Sequence, residues 1–461
     1  MKAIFSTHNK DGILEFAKIL NDLGIELVST GGTRTSLTES GLNVTPVSDL
    51  TGFPEILDGR VKTLHPKIHG GILARRNLVS HMEELDNHHI EPIGIVVVNL
   101  YPFVKTVTEN NATLDDALEN IDIGGPTMIR AAAKNFPSVL VLVDPNDYEW
   151  VGRKLTENGG DANKISIDER RGLARKAFQH VALYDTAITQ YLGRGNNLLS
   201  EEFTLGFSKS NTLRYGENPH QEAALYIDQL SSGGIVRPQQ LHGIEMSYNN
   251  ILDADAAWRT VSDLPKPGAC IVKHTNPCGI AIHEDQPTAY RNALEGDPTS
   301  AYGGIVSFNS AITAATAEAM RGILFDIILA PDIDDEALDI LKKRKRTRIL
   351  RVKDSRGPME IVQLRKVSGG ALIQLDDIKI ADTSSWELKS DRSPTETEMQ
   401  DLSFAWMAVK HIKSNAIALA KDNMLVGMGA GQPNRVTSVH LALNIAGAKA
   451  HGSALASDAF F

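Results

Sequence analysis

Two hydrophobic periods divide the chain into elements. Short apolar runs recur in the first third, at Met1–Ser6, Ile25–Ser29, Ile93–Val98 and Ser138–Val143. The run Ile93–Val98 is apolar throughout, as a strand at the centre of a parallel sheet must be, because both its faces are covered. Across Asp11–Leu23, Ile13, Phe16, Ala17 and Leu20 recur at helical spacing, and Gly24 ends the pattern. A short helix follows Thr33 and closes at Gly41, and another starts within Asp122–Thr127. Strands alternating with helices predict a doubly wound α/β domain. Asp168–Leu192 is one long helical pattern that Gly193–Asn197 interrupts. The break divides the chain into residues 1–196 and 197–461, with Leu198–Ser210 as the crossing segment. In the second part the apolar runs Ile271–Val272 and Ile280–Ile282 flank a polar turn, and Ile305–Val306 and Arg348–Val352 read as further strands.

Composition sets limits on this picture. With 461 residues, 42% apolar and 23% charged, the chain is an ordinary soluble protein able to fill several cores. A net charge of -10 makes non-specific nucleic-acid binding an unlooked-for property. No run is long enough to span a membrane, and the apolar part of the N-terminus is too short for a signal peptide. Cys270 and Cys278 are the two cysteines, which suits a reducing cytoplasm and excludes a disulfide framework. Without a CxxC pair or a His-x-Glu partnered by cysteines, no zinc site is expected.

The candidate chemistry lies at the ends of these runs. Ile25–Ser29 leads into Thr30-Gly31-Gly32-Thr33, where glycines let backbone N–H groups approach a phosphate at a helix start. Arg60, Lys62, Thr63, His65 and Lys67 crowd one loop, GRVKTLHPK, which on its residues alone is either a solvated basic loop or part of an anion site. Asn99, Leu100 and Tyr101 follow the apolar strand, at the place where open α/β sheets bind ligands. Asp122 and Gly124 open a helix that carries Arg130 and Lys134 one turn apart. These cations and glycines point to a phosphorylated small molecule. In the second part, Val272-Lys273-His274-Thr275-Asn276-Pro277 puts an ammonium and an imidazole at a strand end, after which Thr275–Pro277 should leave regular structure. The pair could serve as oxyanion holder and general base, or be two solvated residues of a surface turn. Val409-Lys410-His411 faintly echoes it before Asn415, by chance or as a mark of two related lobes. Lys342–Arg351, KKRKRTRILR, reads as a solvated helix end entering a strand.

The motifs STGGT, GRVKTLHP, NLYPFVKTV, DIGGPTMIRAAAKN, LRYGENPHQ, VKHTNPCG, SAYGGIV, VKHIKSNAI, GAGQPNR and SDAFF occur in this order from Phe5 to Phe461. Together they resemble the bifunctional family that joins phosphoribosylaminoimidazolecarboxamide (AICAR) formyltransferase to inosine monophosphate (IMP) cyclohydrolase. The resemblance implies a methylglyoxal-synthase-like first domain and a transformylase of two cytidine-deaminase-like lobes without zinc. It also implies a cytoplasmic homodimer acting on AICAR, its formyl derivative (FAICAR) and IMP, with 10-formyltetrahydrofolate as co-substrate, no required metal, and no nucleic-acid or membrane partner. For the cyclohydrolase it places the phosphate on Ser6, Lys10, Thr30, Gly31, Gly32 and Thr33, with Arg60, Lys62, Thr63, Asn99, Leu100, Tyr101, Asp122, Gly124 and Lys134 around the base. Lys62, Tyr101, Asp122 and Lys134 are unranked candidates for proton transfer or oxyanion support. For the transformylase it makes His274 the proton acceptor and Lys273 the oxyanion holder. Asn415 would orient the formyl oxygen or the imidazole, and Arg214 and Tyr215 would bind AICAR. Arg435 would take the phosphate end or the folate rim, and Gly303, Asp326, Val436 and Phe460 would contact ligand.

Two departures from the family pattern stand out: His8-Asn9 replaces the usual Ser-Asp, and the chain stops at Phe461, short of a segment that relatives carry. The second departure leads to an expectation of impaired transformylation beside an intact cyclohydrolase. The alternative reading is a methylglyoxal-synthase-like lyase, or a phosphate-binding domain, with an inactive C-terminal half.

Overall fold

Five short strands begin the computed structural model, which describes residues 1–109, 112–193, 199–353, 362–379 and 382–460. They are β1 (Lys2–Thr7), β2 (Glu26–Ser29), β3 (Val44–Pro46), β4 (Ile93–Asn99) and β5 (Leu140–Leu142). All pair in parallel, in the order β3-β2-β1-β4-β5. Every residue of β4 is buried, as its unbroken apolar sequence requires. The strand order reverses between β1 and β4, so the carboxyl ends of these two strands, at Thr7 and Asn99, form the crevice where such sheets bind ligands. The helix Ile13–Asp22 buries the four apolar residues that its spacing singles out, Ile13, Phe16, Ala17 and Leu20.

Contacts divide the chain into two compact units, Met1–Gly206 and Phe207–Phe461. The expected boundary between residues 196 and 197 lies outside the described residues, as does Phe461. Part of the expected crossing segment is a strand: β6 (Phe207–Leu213) pairs with β7 (Ala223–Asp228) as a separate antiparallel hairpin.

The second unit is built on nine strands: β8 (Gln239–His242), β9 (Gly268–Lys273), β10 (Asn276–Ile282), β11 (Gly304–Phe308), β12 (Phe325–Ala330), β13 (Arg348–Arg351), and, beyond the hairpin β14 (Val362–Val367) and β15 (Gly370–Leu375), β16 (Ile417–Lys421), β17 (Met424–Gly429) and β18 (Ala454–Ser457). Their order is β18-β16-β17-β10-β9-β11-β12-β13-β8. It contains a repeat. A capped helix, an antiparallel hairpin, a second helix and an antiparallel third strand occur as Tyr248–Ser262, β9–β10, Gln286–Gly296 and β11. They occur again as Glu396–Val409, β16–β17, Arg435–Ala446 and β18. Both first helices start with a capping box, at Ser247 and Thr395, and the two lobes join where β10 meets β17. In each lobe a glycine lets the second hairpin strand lie against the helix after it. A Cβ at Gly279 would stand 1.9 Å from the Ala293 carbonyl oxygen, and one at Gly427 2.3 Å from that of Ala442.

The two lobes are therefore present, but the Val-Lys-His echo is not the mark of them. Lys273 ends a strand, whereas Val409 ends a helix, at the position that Ser262 holds in the first lobe. Lys410 and His411 both bind Asp263, at 2.8 and 2.9 Å, so the helix ends of the two lobes are tied to each other. Two further expectations are corrected. The strand resumes at Asn276 directly after a two-residue turn, and Pro277 lies within β10, where a shift of register accommodates its missing N–H. The basic run is only partly solvated: Arg344 donates to the carbonyls of Met320 and Ile323, and buried Arg348 to that of Glu245.

Candidate active sites

In the first unit the glycine pair does not form a separate turn. Thr30 is extended and the helix Gly31–Glu39 begins at once, so the glycines are its first residues. Absent side chains leave the helix start open to cations. A Cβ at Gly31 would sit 3.4 Å from Lys62 Nζ, and one at Gly32 3.7 Å from Lys10 Nζ. Two ammonium groups and a helix N-terminus thus face one spot, a setting that attracts a phosphate. Thr33 closes its inner side: its hydroxyl accepts the Thr7 N–H at 3.0 Å and donates to the Thr7 carbonyl at 2.9 Å. Glu55, which the sequence did not single out, bonds Thr30 and lies 3.4 Å from Lys62 Nζ, so a carboxylate occupies the spot's edge.

The loop after Lys62 reaches the next helix. Thr63 is buried, and its hydroxyl lies 2.7 Å from the place a Cβ at Gly124 would take. Asp122 precedes that helix, Gly124–Lys134, and accepts the Gly125 N–H at 2.8 Å. Its own N–H donates to the Tyr184 hydroxyl at 2.8 Å, and that hydroxyl donates to the Asn120 carbonyl at 2.9 Å. Burial raises the Asp122 carboxyl above the ordinary aspartate range, opposed by the N–H groups of Gly125 and Tyr101. Burial likewise pushes the Tyr184 phenol up to about 12. The Tyr101 ring is exposed and meets His8 edge-on at 6.2 Å.

Three expected ligand contacts are engaged elsewhere. Asn99 holds the loop after β1: its oxygen accepts from His8 and Asn9 at 2.7 and 2.9 Å, and its amide donates to the Asn9 carbonyl at 2.8 Å. Arg60 pairs with Glu119 on the surface. Lys134 ends the helix whose start holds Gly124, about 15 Å along the axis. It lines a separate cleft of 640 Å³ with His69, Arg130, Arg175 and Phe178. Ser6 sits in β1 beside Val98, and Leu100 is buried directly after β4.

In the second unit, Lys273 and Asn276 pair across the end of the β9–β10 hairpin. The turn between them, His274 and Thr275, has φ of 50° and 62°. A two-residue hairpin whose twist matches its strands needs both residues left-handed, which glycine and asparagine supply more cheaply. A β-branched threonine there is a backbone outlier of the kind that collects at functional sites, at roughly 1–3 kcal/mol. The Thr275 N–H is held by Asp253 Oδ1 at 2.8 Å, and His274 is left exposed at the tip. Lys273 Nζ donates to the Tyr302 carbonyl at 2.9 Å, and a Cβ at Gly303, which has φ +68°, would lie 3.2 Å from that ammonium. SAYGGIV and VKHTNPCG thus meet because β11 pairs with β9. Asp326 is exposed on β12, one residue past Phe325, which pairs with Gly304.

The second lobe arrives through Asn276, whose oxygen accepts the Lys413 N–H at 3.1 Å. Two residues on, Asn415 donates to the Gln432 carbonyl at 2.7 Å and accepts from Arg435 Nη2 at 2.6 Å. Arg435 also pairs with Asp458 and donates to Ser457 Oγ at 2.9 Å. Its guanidinium is mostly buried, so it braces the Asn415 loop rather than standing free for an anion. Val436 and Phe460 are exposed. Arg214 packs over the Tyr215 ring at 5.7 Å, in a loop whose Glu217 carbonyl accepts from Asn249, in the first turn of the Tyr248–Ser262 helix. Sequence reasoning singled out none of Glu55, Asp253, Gln432 and Asp458, which meet the site through other residues; Glu55 and Asp253 lie outside the motifs, while Gln432 and Asp458 lie within GAGQPNR and SDAFF.

Comparison with known proteins finds two family models. An MGS-like domain model matches residues 12–127, and the AICARFT/IMPCHase bienzyme model matches residues 132–445. The bifunctional purine biosynthesis protein PurH of Thermoanaerobacter sp. (strain X514) is 51% identical over 461 residues, covering 100% of this chain and 90% of that protein. The protein of the same description from Dictyostelium discoideum is 47% identical, covering 100% of this chain and 91% of its own length. A crystal structure titled as that of ForH is 35% identical over 43% of this chain and all of its own, with a TM-score of 0.39. This coverage gives no support to the expectation of an impaired transformylase. A model match over more than half the chain, with identity near one half from end to end, leaves one assignment: the chain belongs to the AICARFT/IMPCHase bienzyme family.

Proposed function

We propose that each unit of this bifunctional purine-biosynthesis enzyme carries one of its two reactions, ring closure in Met1–Gly206 and formyl transfer in Phe207–Phe461. The observation that carries the reading is the pair of separate constellations, Lys10 and Lys62 at the start of one helix with Asp122 before the start of another, and Lys273–His274 at a strained turn.

In ring closure, the carboxamide nitrogen of FAICAR attacks its own formyl carbon and water leaves, giving IMP. Both groups belong to one molecule, so the site gains most by holding them folded together. Lys10, Thr33 and the N–H groups at Gly31 and Gly32 bind the phosphate, with Ser6 beside them. Lys62 neutralises the oxyanion formed on the formyl carbon. Asp122 takes the proton from the amide, a weak acid that needs a base stronger than an ordinary carboxylate, and its burial supplies that basicity. Tyr101 covers the base, with Thr63, Asn99, Leu100 and Gly124 shaping its pocket. Ring-closure kcat is expected to fall as pH drops through the raised Asp122 value. In Asp122→Asn that limb should vanish and kcat should be about 10²–10⁴-fold lower. A pH–rate profile of IMP formation from FAICAR checks this, and an unchanged profile removes Asp122 as the base.

In formyl transfer, the 5-amino group of AICAR attacks the formyl carbonyl of 10-formyltetrahydrofolate. An amine on an aromatic ring is weakly basic and must lose a proton as it attacks, which His274 accepts. Lys273 holds the tetrahedral oxyanion, with Asn415 aligning the formyl oxygen. Arg214 and Tyr215 hold AICAR, near Gly303 and Asp326, while Val436 and Phe460 lie against the folate side. Arg435 keeps Asn415 in place. The enzyme works as a cytoplasmic homodimer. Purified chain given AICAR and 10-formyltetrahydrofolate should accumulate IMP in a spectroscopic assay. Accumulation of FAICAR alone would remove the first assignment, and formation of neither FAICAR nor IMP the second.

A further inference from the structure

The His274–Thr275 turn has a twin in its own unit. Asp422 and Asn423 join β16 to β17 with φ of 53° and 55°. In both lobes a carboxylate from the helix before the hairpin accepts the N–H of the second turn residue. Asp253 Oδ1 takes Thr275 N–H at 2.8 Å, and Asp401 Oδ1 takes Asn423 N–H at 3.0 Å, each across 22 residues of sequence. The clamp is thus a device of the repeated lobe, used wherever non-glycine residues must stay left-handed. The cargo differs. The second turn presents Asp422 and Asn423, while the first presents the imidazole of His274 beside Lys273. Asp253 is also only half-buried and lies within charge range of Lys273 and of the His274 imidazole, whereas Asp401 is buried.

We propose that Asp253 is a positioning residue for formyl transfer: by holding the Thr275 N–H beneath the turn it fixes the backbone of His274, and so the direction of the imidazole, and it keeps a carboxylate beside that ring. When His274 takes a proton, the charge it gains is met by one already in place. A flexible turn would spread the imidazole over several directions, and a base 1 Å out of line loses most of its effect. The inference rests on the assignment of His274 as proton acceptor.

The test uses the full chain and three variants, Asp253→Ala, Asp253→Asn and Asp401→Ala, with kcat and KM measured for both reactions. Supporting groups around a reactive residue are commonly worth about 10–100-fold. Asp253→Ala is expected to lower formyl-transfer kcat by about 100-fold, with KM for AICAR within about twofold. Asp253→Asn keeps one acceptor oxygen without the charge, and should recover part of the loss, to about 10-fold below the parent. Asp401→Ala should lower Tm and leave formyl-transfer kcat alone. Ring closure, in the other unit, should be unchanged in all three. Parental kcat in Asp253→Ala overturns the proposal, as does an equal kcat loss in Asp401→Ala, which would make the clamp purely structural. If Asp253→Ala does not fold, Asp253→Asn carries the test, and parental kcat there overturns it. His274→Ala separates the two levels. If that variant still transfers formyl groups, the assignment of the base is wrong; if it is inactive while Asp253→Ala is fully active, only the present inference falls.

Discussion

His274→Ala is expected to abolish formyl transfer while IMP formation from supplied FAICAR continues at the parental rate. His274 is exposed at the tip of a turn. The backbone there is left-handed already, with φ 50°, so histidine and alanine meet a comparable steric penalty. The loss should therefore fall on kcat, by about 10²–10⁴-fold, the usual worth of a positioned base. KM for AICAR should move little, because Arg214 and Tyr215 lie on a different loop. Steady-state assays of both reactions on one preparation decide the matter. A variant that loses both activities would show that the turn supports the whole chain, against the separation of two compact units.

Lys62→Ala should do the reverse. The Lys62 ammonium lies at the start of the Gly31–Glu39 helix, together with that of Lys10, and balances Glu55. On the proposed assignment its removal deletes the charge that meets the oxyanion and leaves Glu55 beside an anionic substrate without its counter-ion. Loss of a group stabilising an oxyanion costs about 10²–10³-fold in kcat, and the uncompensated carboxylate should also raise KM for FAICAR. Formyl transfer should continue unchanged. Ring-closure kinetics that match the parent would move Lys62 out of the site. A rise in KM with kcat preserved would confine it to binding.

Some assignments were legible because the information is local. The alternation of apolar runs and helical patterns describes a parallel sheet without any coordinates, since burial on both faces demands continuous apolar sequence. Ile93–Val98 and the four apolar positions of Asp11–Leu23 are seen where that pattern puts them. The residues proposed to carry the chemistry, Lys62, Asp122, Lys273 and His274, stand in loops and turns at or near strand ends and helix starts, where glycine and polar punctuation is visible in a single chain. Less legible were side chains whose partners are far away in sequence. Asn99 looks like a ligand contact, but its amide holds the backbone of His8 and Asn9, 91 and 90 residues distant. Arg435 looks like a phosphate cation, but Asp458 and Asn415 claim it.

The sequence by itself determined the order of elements, the family, the two activities and the residue types at each strand end, because each of these is written in short windows or in the order of motifs. Tertiary structure alone decided which of those residues are free to meet a ligand. It showed that the lobes of the second unit repeat through a hairpin and its aspartate clamp, and that the repeated Val-Lys-His is no guide to them. The physical reason is that a polar side chain buried beside a distant backbone group must satisfy that group, and sequence spacing holds no record of which group it will be.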